Sequence, residues 1–165
     1  MSLPTTLLRG GLKAADGAVA WARMVVDDYV HLGRTLDGND VDAWDPDYIR
    51  RVLPLWRTIT RSYFRGEVHG LDNIPAEGPS LLVGNHSGGL LIADTFVFAC
   101  EFYDHFGPER RFHQLAHDIA ARMPGTGLSR WGTVAASHDN ARRAFDKGAP
   151  VLVYPGGDWE TFRPT

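Results

Sequence analysis

Residues 67–89 read EVHGLDNIPAEGPSLLVGNHSGG, and the fold turns on how this stretch is read. Its centre, Leu81-Leu82-Val83, is an apolar run between Pro79 and Gly84. A short apolar run between turn-forming residues predicts a buried strand over 80–84. A short strand and a turn come before it, beginning near residue 66. After it comes Gly84-Asn85-His86-Ser87-Gly88-Gly89, which leads into a helix over 89–105 rich in aromatic and aliphatic residues.

Downstream, the same alternation repeats. FHQLAH (112–117) and GTVAA (132–136) read as short strands. Residues 117–130 hold one or two short helices, broken by Pro124, Gly125 and Gly127. Ser137 suits the cap of a helix over 138–147, closed by Gly148. VLVY (151–154) is another buried strand, and it runs into Pro155-Gly156-Gly157. Strands alternating with helices predict an α/β domain with a partly parallel sheet flanked by helices.

Upstream, the pattern becomes helical. Leu8, Leu12, Ala15, Val19, Ala22, Val26 and Tyr29 recur at spacings of four and three, one apolar stripe of a helix over 5–34. Residues 36–44 are acidic and turn-rich, a connector. A second helix begins with Asp45 as N-cap and Pro46 in the first position. Ile49, Val52, Leu53, Trp56, Ile59 and Tyr63 form its apolar side, and Arg50, Arg51, Arg57, Arg61 and Arg65 add charge. Pro54 is expected to kink or break it. The chain thus divides into an amphipathic helical segment, 1–65, and an α/β core, 66–165.

The composition narrows the function. The 165 residues carry a net charge of −3, which gives no basic field for nucleic acid. Cys100 is the only cysteine, which excludes an internal disulfide and any Cys-rich metal site. His113 and His117 lack a close third ligand, and no HExxH motif is present, so no metal is expected. No stretch reaches the roughly 20 apolar residues of a spanning helix, and the first residues lack a signal-peptide pattern. Any membrane contact is therefore expected to be peripheral.

Two motifs carry chemistry. His86 follows a strand, where ligands bind in open α/β sheets, and an imidazole is a fitting general base. Such a base usually needs a carboxylate to hold its tautomer, and Asp94, eight positions on, is the nearest downstream. A helix N-terminal acid that favours the dipole is the plainer reading of Asp94. The second motif is Tyr154-Pro155-Gly156-Gly157-Asp158-Trp159-Glu160. Its glycines offer backbone N–H groups to an oxyanion or phosphate, with Asp158 and Glu160 near the same cleft. A parallel arrangement puts both motifs on one edge of the sheet.

Val68-His69-Gly70-Leu71-Asp72-Asn73-Ile74-Pro75 followed by Gly84-Asn85-His86 closely resembles the lead-in to the active site of the PlsC-like lysophospholipid acyltransferases. Gly132 to Ser137, with Asn140 and Ala141, resembles their second block, and Val151 to Gly157 their third. The resemblance covers residues 67–163. It implies acyl transfer from a thioester, acyl-CoA or acyl carrier protein, to a lipid hydroxyl, without a further cofactor. It makes His86 the base and an acid of the same motif its partner, with Asn85, Ser87, Gly88, Gly89, Pro155, Gly156, Gly157 and Glu160 lining the substrate. It also implies a peripheral place on the cytoplasmic face of a membrane, contacted by the N-terminal helices.

The sequence departs from that family in three places. The family has four residues between His and Asp, which puts Leu91 where the acid belongs; Asp94 leaves seven. Either the turn through Gly88-Gly89 is longer, or another acid serves, or activity is impaired. The third block usually reads Pro-Glu-Gly-Thr-Arg. Here Gly156 replaces the Glu and no arginine follows within two residues, a form similar to the branch acting on neutral acceptors such as mono- and diacylglycerols; Arg130 and Arg163 remain as anion contacts. The chain also stops eight residues after Gly157, where the family continues, so the core is expected to be incomplete and its last strand to expose an unpaired edge. Two other readings stand beside this one: a lipid-binding fragment without activity, and a serine hydrolase using Ser87, although position 85 lacks the glycine of a nucleophile elbow.

Overall fold

The computed structural model describes residues 36–86 and 93–157, together with residues 19, 22–23, 25–26 and 29–30. Helix α1 (Pro46–Ile59) opens the well-packed part of the chain. Asp45 caps it as its sequence suggests, the carboxylate accepting from the Tyr48 N–H at 2.9 Å, a contact worth about 1 kcal/mol. The helix runs through Pro54 without a break. Pro54 has no N–H to donate, but its carbonyl still accepts from the Thr58 hydroxyl at 2.9 Å. A wider π turn, Thr60–Phe64, ends it, with Arg65 in the left-handed conformation.

The stretch after Arg65 is not the expected short strand; its regular part is the 3-10 turn Leu71–Asn73. Strand β1 (Ser80–Val83) follows. Helix α2 (Ala93–Phe106) leads to β2 (His113–Ala116), the one-turn helix α3 (Asp118–Ala121) and β3 (Thr133–Ala135). Helix α4 (His138–Asp146), capped by Ser137 on the Asn140 N–H, then leads to β4 (Pro150–Val153).

Among the described residues, the sheet has four strands in the order β1-β4-β2-β3, all parallel. The α/β reading, with a parallel sheet between helices, is borne out. The strand order overturns one expectation. The last strand, β4, lies between β1 and β2 and has no open edge; the edges belong to β1 and β3. Nor is β1 a buried strand, since Leu81 and Val83 are 56% and 61% exposed. The interior strands are β4, where Val151 and Leu152 are both covered, and β2. Gly132 (φ 93°) lets β3 start close beside β2, because a Cβ there would lie 2.0 Å from the Phe112 carbonyl oxygen.

The core joins α1, α2 and the sheet. Tyr48, Ile49, Val52 and Leu53 of α1 pack with Ala99, Cys100, Phe102 and Tyr103 of α2, Phe112, Trp131 and Leu152. Each large apolar side chain buried this way contributes about 1.5–3 kcal/mol. Ion pairs set the facing of the two helices. Arg57 binds Asp104, with Nε to Oδ2 at 2.7 Å, and Arg61 binds Glu101 and Asp104. Arg57 of α1 and Arg61 of the π turn are therefore engaged with α2, and Arg50 binds Asp47 and Glu109 instead. In the N-terminal segment the described residues are helical, but the stripe members Val19, Ala22, Val26 and Tyr29 are exposed and do not pack on the sheet.

Candidate active site

The parallel pairing of β1 with β4 builds the site. Val83 pairs with Val153, and the Gly84 N–H still donates to the Val153 carbonyl at 3.1 Å. The residues just past the two strands, Gly84 and Tyr154, therefore lie side by side. A Cβ on Gly84 would sit 3.1 Å from the Tyr154 ring, a tight contact that the ring could relieve only by shifting a few tenths of an ångström. Tyr154 stacks on His86, with centroids 4.5 Å apart and planes 11° apart.

Helix α2 starts at the same end of the sheet and places Asp94 in its first turn, where the helix dipole favours negative charge. The Asp94 Oδ2 lies 2.7 Å from His86 Nδ1. Its Oδ1 accepts from the Thr95 N–H at 2.8 Å, and the Thr95 hydroxyl lies 3.4 Å away. The Tyr154 hydroxyl titrates under the influence of Thr95 and Asp94. Burial pushes that hydroxyl's pKa up, Thr95 pulls it down and the Asp94 charge pushes it up again; the net shift is upward. The side chains of His86 and Asp94 are 14% and 20% exposed, mostly shielded but reachable.

The arrangement has a definite chemical sense. If the Asp94 carboxylate is ionised and the imidazole neutral, Nδ1 is the donor in this contact and the lone pair is on Nε2. A carboxylate-held imidazole of this kind can accept a proton from an incoming hydroxyl and is stabilised once charged. The contact that the wide spacing left open is made, with seven residues between the two partners.

Other predicted positions fall elsewhere. Asn85 and Pro155 are exposed on the rim, and Gly156 and Gly157 are half-buried beside it. The Gly157 N–H donates to the Tyr154 carbonyl at 3.1 Å, so the turn itself uses this expected oxyanion donor. Arg130 is not at the site. It precedes β3, at the N-terminal end of the sheet, where it binds Asp45 at 2.7 Å and lies 3.9 Å over the Tyr48 ring. Ser87, Gly88, Gly89, Leu91, Asp158, Glu160 and Arg163 lie outside the described residues.

Two further nucleophile or ligand types are accounted for. Burial pushes the Cys100 thiol up to about 12, which removes it as a thiolate. His113 is fully buried; burial lowers it to about 4, against the pull of the Gly132 carbonyl. Among the described residues, no group of three or more His, Cys, Asp or Glu is placed to hold a metal ion.

Two residues of the cluster had no role in the sequence reading. Tyr154 appeared there only as part of a turn motif, and Thr95 not at all. The available signal was register: once β1 and β4 are aligned at their ends, glycine stands opposite tyrosine two residues before the histidine.

A protein-family model described as Acyltransferase matches residues 65–164. The chain belongs to the acyltransferase family. Uncharacterized proteins of Mycobacterium bovis and Mycobacterium tuberculosis are 31% identical to this chain over 121 residues, covering 72% of it and 34% of each relative. A Bos taurus protein named "DGAT1/2-independent enzyme synthesizing storage lipids" is 26% identical over 110 residues, covering 66% of this chain and 32% of its own length. The chain thus spans about a third of the length of the curated relatives it matches. No solved structure matches it.

Proposed function

We propose that this acyltransferase moves a fatty acyl group from a thioester, acyl-CoA or acyl carrier protein, to a hydroxyl of a glycerolipid or related lipid. His86 is the general base and Asp94 the carboxylate that orients it. The observation that carries this reading is the 2.7 Å contact between His86 Nδ1 and Asp94 Oδ2. His86 Nε2 takes the proton of the acceptor hydroxyl as its oxygen attacks the thioester carbonyl. The tetrahedral oxyanion collapses, expelling the thiolate, and the imidazolium returns the proton to the sulfur. The Asp94 charge stabilises the imidazolium throughout.

A neutral acceptor, such as a mono- or diacylglycerol, is favoured over a phosphorylated one. Gly156 stands where the family carries a glutamate, no arginine follows within two residues, and Arg130 is engaged at the other end of the sheet. The name of the bovine relative, which refers to storage lipids, points the same way. Peripheral membrane contact, on the cytoplasmic face, belongs to the same proposal. Among the described residues, no helix is long and apolar enough to cross a membrane, and Val19, Val26, Tyr29 and Val30 present apolar surface.

The test is transfer of a labelled acyl group from a thioester to paired acceptors, a diacylglycerol and a lysophosphatidate, in mixed vesicles. Label in the neutral product supports the proposal. Label only in the phosphorylated product overturns the acceptor assignment, and no label in either lipid overturns the activity.

A further inference from the structure

The two edges of the sheet are finished differently. Beside β3 the connector takes up an outward strand group: the Ala135 N–H donates to the Gly38 carbonyl at 2.7 Å. On β1 the direction of each backbone group follows from one bond. The Gly84 N–H points inward, to the Val153 carbonyl. Along a strand, the N–H and C=O of one residue point to the same side, and the side alternates with each residue. Ser80 and Leu82 therefore face β4, as Gly84 does, while Leu81 and Val83 turn their N–H and C=O groups away from the sheet. Among the described residues, no hydrogen bond reaches those outward groups.

The side chains follow the same alternation. Leu82 packs on the core. Leu81 and Val83 lie on the opposite face, 56% and 61% exposed. Ser80-Leu81-Leu82-Val83 contains no charge and no proline, two of the devices by which edge strands turn partners away. Pro79 stands before the strand, not in it.

We infer that β1 is a self-association edge: two copies of this chain pair β1 with β1, antiparallel about a two-fold axis at Leu82, and join their sheets into one.

A second copy fits because the edge is complementary to itself. With the axis at Leu82, Leu81 stands opposite the partner's Val83, and Val83 opposite the partner's Leu81. Both members of each pair face outward, so each pair exchanges both of its N–H···O=C bonds. Every outward group of Leu81 and Val83 in both copies is then satisfied. On the open face each Leu81 side chain meets the partner's Val83, apolar against apolar, a favourable cross-strand pair. A two-fold contact of this kind uses one patch twice and closes at a dimer. It also leaves the candidate active site in place, since His86 and Asp94 meet beyond the end of β1.

Two measurements test this on the full chain. Sedimentation equilibrium over a concentration series up to about 1 mM reads the mass. Amide hydrogen exchange at both ends of the series reads the edge itself. For wild type, the mass is expected to rise toward that of a dimer, and exchange at the Leu81 and Val83 N–H groups to slow as concentration rises. Leu81→Pro and Val83→Pro each remove one outward N–H and leave the bonds to β4, a placement that edge strands tolerate. Each should weaken association by about tenfold or more, because the two-fold axis makes one lost N–H count twice. Leu81→Thr and Val83→Thr, which keep the amide, should still associate.

A wild type that remains a monomer throughout the series overturns the proposal. Folded proline variants that associate as tightly as wild type also overturn it, since the contact would then lie elsewhere. So does slow exchange at Leu81 and Val83 that persists on dilution, which would assign the edge to a strand of the same chain. The exchange comparison needs wild type alone, so it decides even where neither proline variant folds.

Discussion

Replacing Asp94 by Asn tests the site with almost no change of shape. The carboxylate now serves two partners: Oδ2 faces His86 Nδ1 at 2.7 Å, and Oδ1 accepts from the Thr95 N–H at 2.8 Å. An amide cannot serve both. With its oxygen kept toward Thr95, its NH2 faces Nδ1 and demands a lone pair there. The proton moves to Nε2, and the base is lost. With its oxygen turned to His86, two N–H donors face each other at Thr95, an unsatisfied arrangement costing about 1–3 kcal/mol. Either way the productive tautomer becomes the minor one. General base catalysis contributes about 10²–10⁴-fold, so kcat should fall by that range, about 2.7–5.4 kcal/mol of barrier. Loss of the acid from the first turn of α2 costs up to about 2 kcal/mol of stability at a mostly buried position, which thermal melting of the variant measures. The assay is acyl transfer from a labelled thioester at saturating acceptor, with thermal melting as the control. A folded Asp94→Asn variant losing less than about threefold would refute the reasoning, because it would mean that the carboxylate does not set the tautomer of a working base.

Two predictions concern stability. His113 is buried with its folded value lowered to about 4 against 6.5 in the unfolded chain; the unfolded state therefore binds more protons between those values, and stability falls as pH drops through that window. From pH 7 to pH 5 the loss should be about 2 kcal/mol in urea unfolding, and His113→Gln should abolish most of that dependence. Burial raises the carboxyl of Asp45, but its bonds from Arg130 and the Tyr48 N–H outweigh this and leave it lowered. Its stabilising effect is present above 3.8 and is lost as pH falls through the lower folded value. Asp45→Asn should cost about 2 kcal/mol, discounted from the 3–5 of a fully buried pair because Asp45 is partly exposed, and should flatten the acid limb of the melting curve.

Much of the fold was legible because the signals were local. Asp45-Pro46 and Ser137 mark helix starts by their own chemistry, and apolar runs ending in Gly84 and Pro155 mark strands that finish at one edge. What was not legible depended on neighbours far along the chain. Nothing in VLVY says that β4 inserts between β1 and β2, so the open edge was assigned to the wrong strand and β1 was read as buried. Arg57 and Arg61 could be read only as added charge because their carboxylate partners, Glu101 and Asp104, lie forty or more residues away.

The site divides the same way. His86 was visible as a histidine at a strand end. Its pairing with Asp94 was not, because counting residues between them assumes a path for the turn that the sequence does not state. Arg130 looked like an anion contact because the third block lacks the family's arginine, yet its guanidinium is buried on Asp45 and Tyr48. Tyr154 was invisible for a related reason: its partner ring lies on another strand's extension, and only the register of β1 with β4 brings the two together.

The central claim is that His86 is the base of an acyl transfer to a lipid hydroxyl. The most direct measurement is turnover of a labelled acyl thioester into acylated lipid by the wild type and by His86→Ala, both shown to be folded by circular dichroism. The account predicts that wild type transfers the label and that His86→Ala loses about 10²–10⁴-fold in kcat. Turnover unchanged by that substitution would contradict it.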